Sequence, residues 1–140
     1  MTPLEGSINE FGDFLTAYAN SYETYDPASV AAFIHCPCIF GLGGETVLLD
    51  TNDQILDFLR TGLKTYKEND CVRFEARLLS AKRIGPHFAL IDVEWSPENA
   101  AGVQTMHFST TYNLVNVAGE WRVATIMRHD PEIMTSTEAG

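Results

Sequence analysis

Apolar residues change their spacing partway along the chain. Ile8, Phe11, Leu15, Tyr18 and Tyr22 recur every three or four positions, the period of a helix with one apolar stripe. Ser7 with Glu10 three residues on forms a capping box, so a first helix is expected over residues 7–25. Asp26-Pro27 is a second start signal, an N-cap carboxylate followed by a proline whose fixed φ suits the first helical turn. Val30, Phe33 and Ile34 give this segment a short stripe, and it is expected to end before Pro37, with His35 near its last carbonyls. Gly43-Gly44 supplies the turn of a small hairpin between Cys38-Ile39-Phe40 and Val47-Leu48-Leu49. Thr51 with Gln54 is another capping box, and Ile55, Phe58, Leu59, Leu63 and Tyr66 carry a third helix to about Asn69.

From Cys71 the period falls to two. Val72, Phe74, Ala76 and Leu78 alternate with Arg73, Glu75 and Arg77, and a second strand sets Ala89, Ile91, Val93 and Trp95 against Asp92 and Glu94. Ser109 to Asp130 reads as two long strands turning at Ala118-Gly119. With Val117 opposite Glu120, Leu114 faces Val123, Tyr112 faces Thr125, Thr110 faces Met127 and Phe108 faces His129. One side of the ribbon then carries Phe108, Tyr112, Leu114, Trp121, Val123 and Met127, and the other His107, Ser109, Asn113, Arg122, Arg128 and Asp130. Closing the turn through a bulge would move this register by one residue. Early helices and later antiparallel strands make an α+β domain, with residues 8–130 as its core and 131–140 as a polar tail.

Composition narrows the partners. The 140 residues suit one domain, and 45% hydrophobic with 20% charged residues is ordinary for a soluble globular chain. No stretch approaches a membrane span, and MTPLEGSINE carries acidic residues where an export signal has basic ones. A net charge of −10 repels a phosphate backbone, so nucleic acid is not an expected partner. The three cysteines, Cys36, Cys38 and Cys71, do not read as a disulfide framework, and a cytoplasmic setting is expected.

The order helix, helix, small hairpin, helix, long strands, ending in Gly119-Glu120-Trp121-Arg122-Val123, resembles the NTF2-like superfamily. This is the curved-sheet (cystatin-like) cone that also holds SnoaL-like cyclases and ketosteroid isomerases. Phe33-Ile34-His35-Cys36-Pro37-Cys38, Gly44-Glu45-Thr46-Val47, Thr111-Tyr112-Asn113-Leu114 and His129-Asp130-Pro131 are similar to an uncharacterised bacterial group within it. The resemblance implies a pocket between the first helix and the concave sheet face, with a small, largely apolar molecule as partner. It also implies a homodimer through the outer face of the sheet.

Tyr18, Tyr22, Cys38, Trp95 and Thr125 are the expected ligand-binding residues, with His129 and Tyr112 as the candidate catalytic pair. An imidazole base and a phenol donor would serve proton transfer beside a carbonyl, elimination of water or cyclisation, none of which needs a cofactor. Aromatic residues on an apolar stripe more often only pack. The catalytic carboxylates of the superfamily's isomerases and cyclases have no counterpart here, since the strand that would carry the isomerase base reads Cys38-Ile39-Phe40. An aspartate, arginine, aspartate set of the epoxide hydrolase kind is also not formed, with Asp92, Arg122 and Arg128 all expected on polar faces. His35-Cys36-Pro37-Cys38 lacks the two-residue cysteine gap of a zinc site, and no metal is expected. His107 is expected to pair with Asp130 on the surface. Three functional readings follow: a small-molecule binding domain, a cofactor-free isomerase, dehydratase or cyclase, and a homodimeric interaction module.

Overall fold

The computed structural model describes residues 3–129, with side chains from residue 10 onward. Its elements run α1 (Pro3–Glu23), α2 (Pro27–Ala31), β1 (Ile34–Leu42), β2 (Glu45–Leu49), α3 (Asn52–Glu68), β3 (Arg73–Ile84), β4 (Phe88–Glu98), β5 (Phe108–Val117) and β6 (Glu120–His129). The strands form one sheet in the order β2-β1-β6-β5-β4-β3. Every neighbouring pair is antiparallel except β1 and β6, which run parallel. The α+β architecture expected from the sequence is present, with a mixed rather than wholly antiparallel sheet. The polar tail and Asp130 lie outside the described residues.

Two helix ends differ from expectation for physical reasons. α1 begins at Pro3, a residue suited to a first helical position, so Ser7 lies inside the helix instead of capping it. α2 has the expected Asp26 cap, which accepts from the Ala28 amide, but it stops at Ala31. The Phe33 carbonyl accepts from the Val123 amide at 2.8 Å, and Ile34 pairs with Val123, so β6 claims this backbone before the helix can extend. His35 is therefore a strand residue whose Nδ1 lies 2.9 Å from the Pro37 carbonyl. The capping box of α3 forms as read, with Thr51 and Gln54 bonding reciprocally.

α1 lies along edge strand β3 and is held at Glu10, within the helix, and at Glu23, its last residue. Glu10 accepts from the Trp121 indole nitrogen at 3.0 Å and from Arg83 at 3.1 Å, and Glu23 accepts from the Phe74 amide at 3.0 Å. The Phe74 amide is a β3 backbone donor that an uncovered edge would leave free. Between Glu10 and Glu23 the side chains of Phe11, Leu15 and Tyr18 are buried against the sheet, at about 1.5–3 kcal/mol for each large apolar side chain.

A bulge in the last hairpin decides what the concave face presents. Val117 faces Glu120, Asn116 faces Trp121 and Leu114 faces Val123, as expected. The next pair is Asn113 with Thr125, followed by Tyr112 with Ile126, Thr111 with Met127, Thr110 with Arg128 and Ser109 with His129. Ala124 is the unpaired residue. Trp121, Val123 and Ile126 are all buried, a spacing of two and then three that an unbroken ladder cannot keep on one face. Beyond Ala124, Ile126 and Arg128 turn inward, while Thr125, Met127 and His129 turn outward. Met127 lies over Gly41 on the outer face, where a Cβ would stand 2.7 Å from the Met127 sulfur.

Candidate functional site

α3 buries Ile55, Leu59 and Leu63 at helical spacing, and it roofs a part of the concave face that side chains leave unfilled. A cavity of about 160 Å³ lies there. Phe58, Leu59, Gly62, Leu63 and Tyr66 of α3 form its roof. Phe40, Phe74, Trp95, Phe108, Thr110, Tyr112, Ile126 and Arg128 come from the sheet, and Tyr22 is the contribution of α1. The expected position between the first helix and the sheet is corrected by this geometry. α1 is packed closely, with Tyr18 meeting Tyr112 and Trp95 edge-on at 5.7 and 6.1 Å between ring centroids, so the open space falls beneath α3.

The polar groups around this cavity largely satisfy one another. The Tyr18 and Tyr22 hydroxyls are 2.8 Å apart, and the Trp95 indole nitrogen donates to the Tyr112 hydroxyl at 3.0 Å. Burial pushes the phenols of Tyr18, Tyr22, Tyr66 and Tyr112 above their ordinary range, so each is a neutral hydrogen-bonding group rather than a base at physiological pH. The charge of Arg128 opposes this rise at Tyr66. Arg128 itself stacks on Phe108, its guanidinium carbon 3.9 Å from the ring centroid.

The residues singled out from sequence divide between the two faces. Tyr22, Trp95 and Tyr112 meet at the cavity, and Tyr18 stands just behind Tyr22. Cys38 is fully buried, and burial pushes its thiol up to about 12, which keeps it protonated and unreactive near neutral pH. Thr125 and His129 are turned away by the bulge. His129 Nε2 lies 3.2 Å from the Thr111 hydroxyl, which donates to Asp92 at 2.5 Å, and Asp92 also accepts from Ser80 at 2.7 Å. The catalytic pair expected from sequence is thus split across the sheet. His107 pairs with Glu94 at 3.2 Å, and this bond holds the Glu94 carboxyl below its ordinary range.

Phe40, Phe58, Tyr66, Phe74, Phe108, Thr110, Ile126 and Arg128 were not among the expected site residues. Phe58 and Tyr66 were legible as part of the α3 stripe, whereas Arg128 depends on the Ala124 bulge. Among the described residues no cluster of three or more His, Cys, Asp or Glu could hold a metal ion. No described helix is long and apolar enough to cross a membrane.

A curved sheet with helices over its concave face defines an NTF2-like, cystatin-like domain. The family model described as NTF2-like protein (DUF6841) matches residues 9–131, and the chain belongs to that family. Similar solved structures include an NTF2-like protein of unknown function from Shewanella oneidensis, at 10% identity and a TM-score of 0.69 over 87% of this chain and 98% of that one. Aln2 from a Streptomyces species is similar at 14% identity and a TM-score of 0.70, with 98% of each chain covered. The association domain of the Caenorhabditis elegans kinase CaMKII matches at 11% identity and a TM-score of 0.65, over 89% of this chain and 96% of that one. At these identities the likeness concerns the fold alone. No curated protein matches the chain.

Proposed function

We propose that this domain binds a small, largely apolar molecule in the cavity beneath α3. The observation that carries the reading is an aromatic-lined space of about 160 Å³ on the concave face. Aromatic walls give such a ligand dispersion contacts and remove its surface from water, and Tyr22, Trp95 and Tyr112 are the proposed contacts from the earlier candidates. A cofactor-free isomerase, dehydratase or cyclase of the SnoaL-like kind would need a base in the same space. His129 is on the other face and Tyr112 is raised above the basic range, so binding without turnover is preferred. Isotope-edited NMR with apolar probes from benzene to naphthalene in size tests this. Shifts confined to Leu63, Trp95, Phe108 and Ile126 are expected, and saturable binding elsewhere would overturn the assignment.

A homodimer through the outer sheet face is a second proposal. Ile39, Ile84, Phe88, Leu90 and Met127 are exposed hydrophobics on that face, and one structural neighbour is an association domain. Light scattering on the wild type and on Phe88→Glu with Leu90→Glu is expected to show dimer and monomer respectively. A wild-type monomer at high concentration would reject it. The three free cysteines fit a cytoplasmic setting.

A further inference from the structure

Arg128 stands apart from the other arginines. Arg60, Arg73, Arg77, Arg83 and Arg122 each have a carboxylate within 4 Å, as expected in a chain with 19 acidic and 9 basic side chains. Among the described residues Arg128 has none, although it is half-buried in the cavity wall. A guanidinium withdrawn from water loses hydration that a carboxylate or an aromatic face must replace. Phe108 covers one face of it, and stacking of that kind leaves the in-plane N–H groups available.

Resting on the reading of this cavity as a binding site, we infer that its ligand is a compact aromatic or aliphatic acid whose carboxylate pairs with Arg128 while its apolar body lies under α3. Size fits the inference, because an apolar cavity of about 150 Å³ accommodates benzene and this one is about 160 Å³. Charge number fits as well. One planar guanidinium matches one carboxylate through two parallel hydrogen bonds, whereas a phosphate dianion would bring a second charge into a protein of net charge −10 with no further cation in the lining. Tyr66, stacked on Phe108 at 6.1 Å between ring centroids, lines the same cavity beside the ring that carries Arg128.

The test is a titration of the full chain, followed by NMR and calorimetry, with aryl carboxylates from benzoate to 2-naphthoate and with their carboxamides of equal shape. The wild type is expected to bind the acids roughly 10- to 100-fold more tightly, the range of a charge-assisted hydrogen bond. Arg128→Met, which keeps an apolar stem over Phe108, is expected to remove that preference while carboxamide binding persists. Equal affinity for acid and carboxamide, with shifts at Trp95 and Leu63, would overturn the acid inference and leave the binding site standing. Absence of cavity shifts with every probe would overturn both.

Discussion

The Trp95 indole nitrogen donates to the Tyr112 hydroxyl at 3.0 Å, joining β4 to β5 across the floor of the cavity. Both residues are almost fully buried, so water competes poorly for either group. Tyr112→Phe keeps the ring and strands the indole donor. Thermal denaturation is expected to show a loss of about 1–3 kcal/mol, or roughly 3–10 °C in a domain of this size. An unchanged Tm would mean that the indole has another acceptor.

The buried phenols set a limit at high pH. Tyr18, Tyr22, Tyr66 and Tyr112 have folded pKa values raised above the unfolded value of about 10. Between those values the unfolded chain has lost protons that the folded chain keeps, so deprotonation favours unfolding. The stability these groups contribute is complete below about pH 10 and declines as pH rises toward their folded values. Urea denaturation is expected to be insensitive to these groups from pH 8 to 9 and to weaken steeply above pH 10, with tyrosinate absorbance appearing together with unfolding. Titration of Tyr18, Tyr22, Tyr66 and Tyr112 in a folded protein near pH 10 would contradict their burial.

The cysteines are expected to react in two classes. Cys36 is exposed, whereas Cys38 and Cys71 are buried, with the Cys38 thiol pushed up to about 12. A thiolate-specific reagent at pH 8 should label one site quickly in the native protein and three after denaturation. Mass mapping of the fast adduct to Cys38 would show that the β1 interior opens.

Much of the fold was legible because local signals and tertiary packing agree. The Asp26 cap, the Thr51–Gln54 box and the Ala118-Gly119 turn form as read. The site was less legible because it depends on one residue. Trp121, Val123 and Met127 looked like an unbroken alternation, yet Ile126 is the buried residue and Ala124 absorbs the difference. That single bulge removed His129 and Thr125 from the concave face and placed Arg128 on it. The three-residue step from Val123 to Ile126 was the available signal. The roof is not legible in the sequence for another reason: a helical stripe reports that a face is buried without reporting which sheet residues fail to meet it.

The turn at Ala118-Gly119 has positive φ at both positions, 54° and 88°. This suits a two-residue hairpin, but alanine pays for the left-handed conformation with a steric clash that glycine avoids and asparagine tolerates better. Ala118→Asn or Ala118→Gly is expected to raise stability by about 0.5–1 kcal/mol, measured by urea denaturation. A loss of stability would imply that the alanine methyl makes a contact worth more than the strain.

Gly62 couples helix stability to the cavity. It lies inside α3 and lines the open space, and a Cβ built there meets nothing within 4 Å. Alanine therefore meets no steric obstacle and recovers the helical propensity that glycine lacks, about 0.8–1.0 kcal/mol in a helix interior. Gly62→Ala is expected to raise the Tm by a few degrees, with only a small effect on ligands. Gly62→Leu recovers most of the same propensity but extends a branched side chain into a space of about 160 Å³. Its Tm should also rise, because the new methyl groups replace emptiness with contacts, while affinity for aryl probes should fall at least tenfold, a difference of about 1.4 kcal/mol. Stability and binding moving in opposite directions would locate the site beneath α3. A Gly62→Leu protein that is stabilised yet binds as tightly as the wild type would move the site elsewhere.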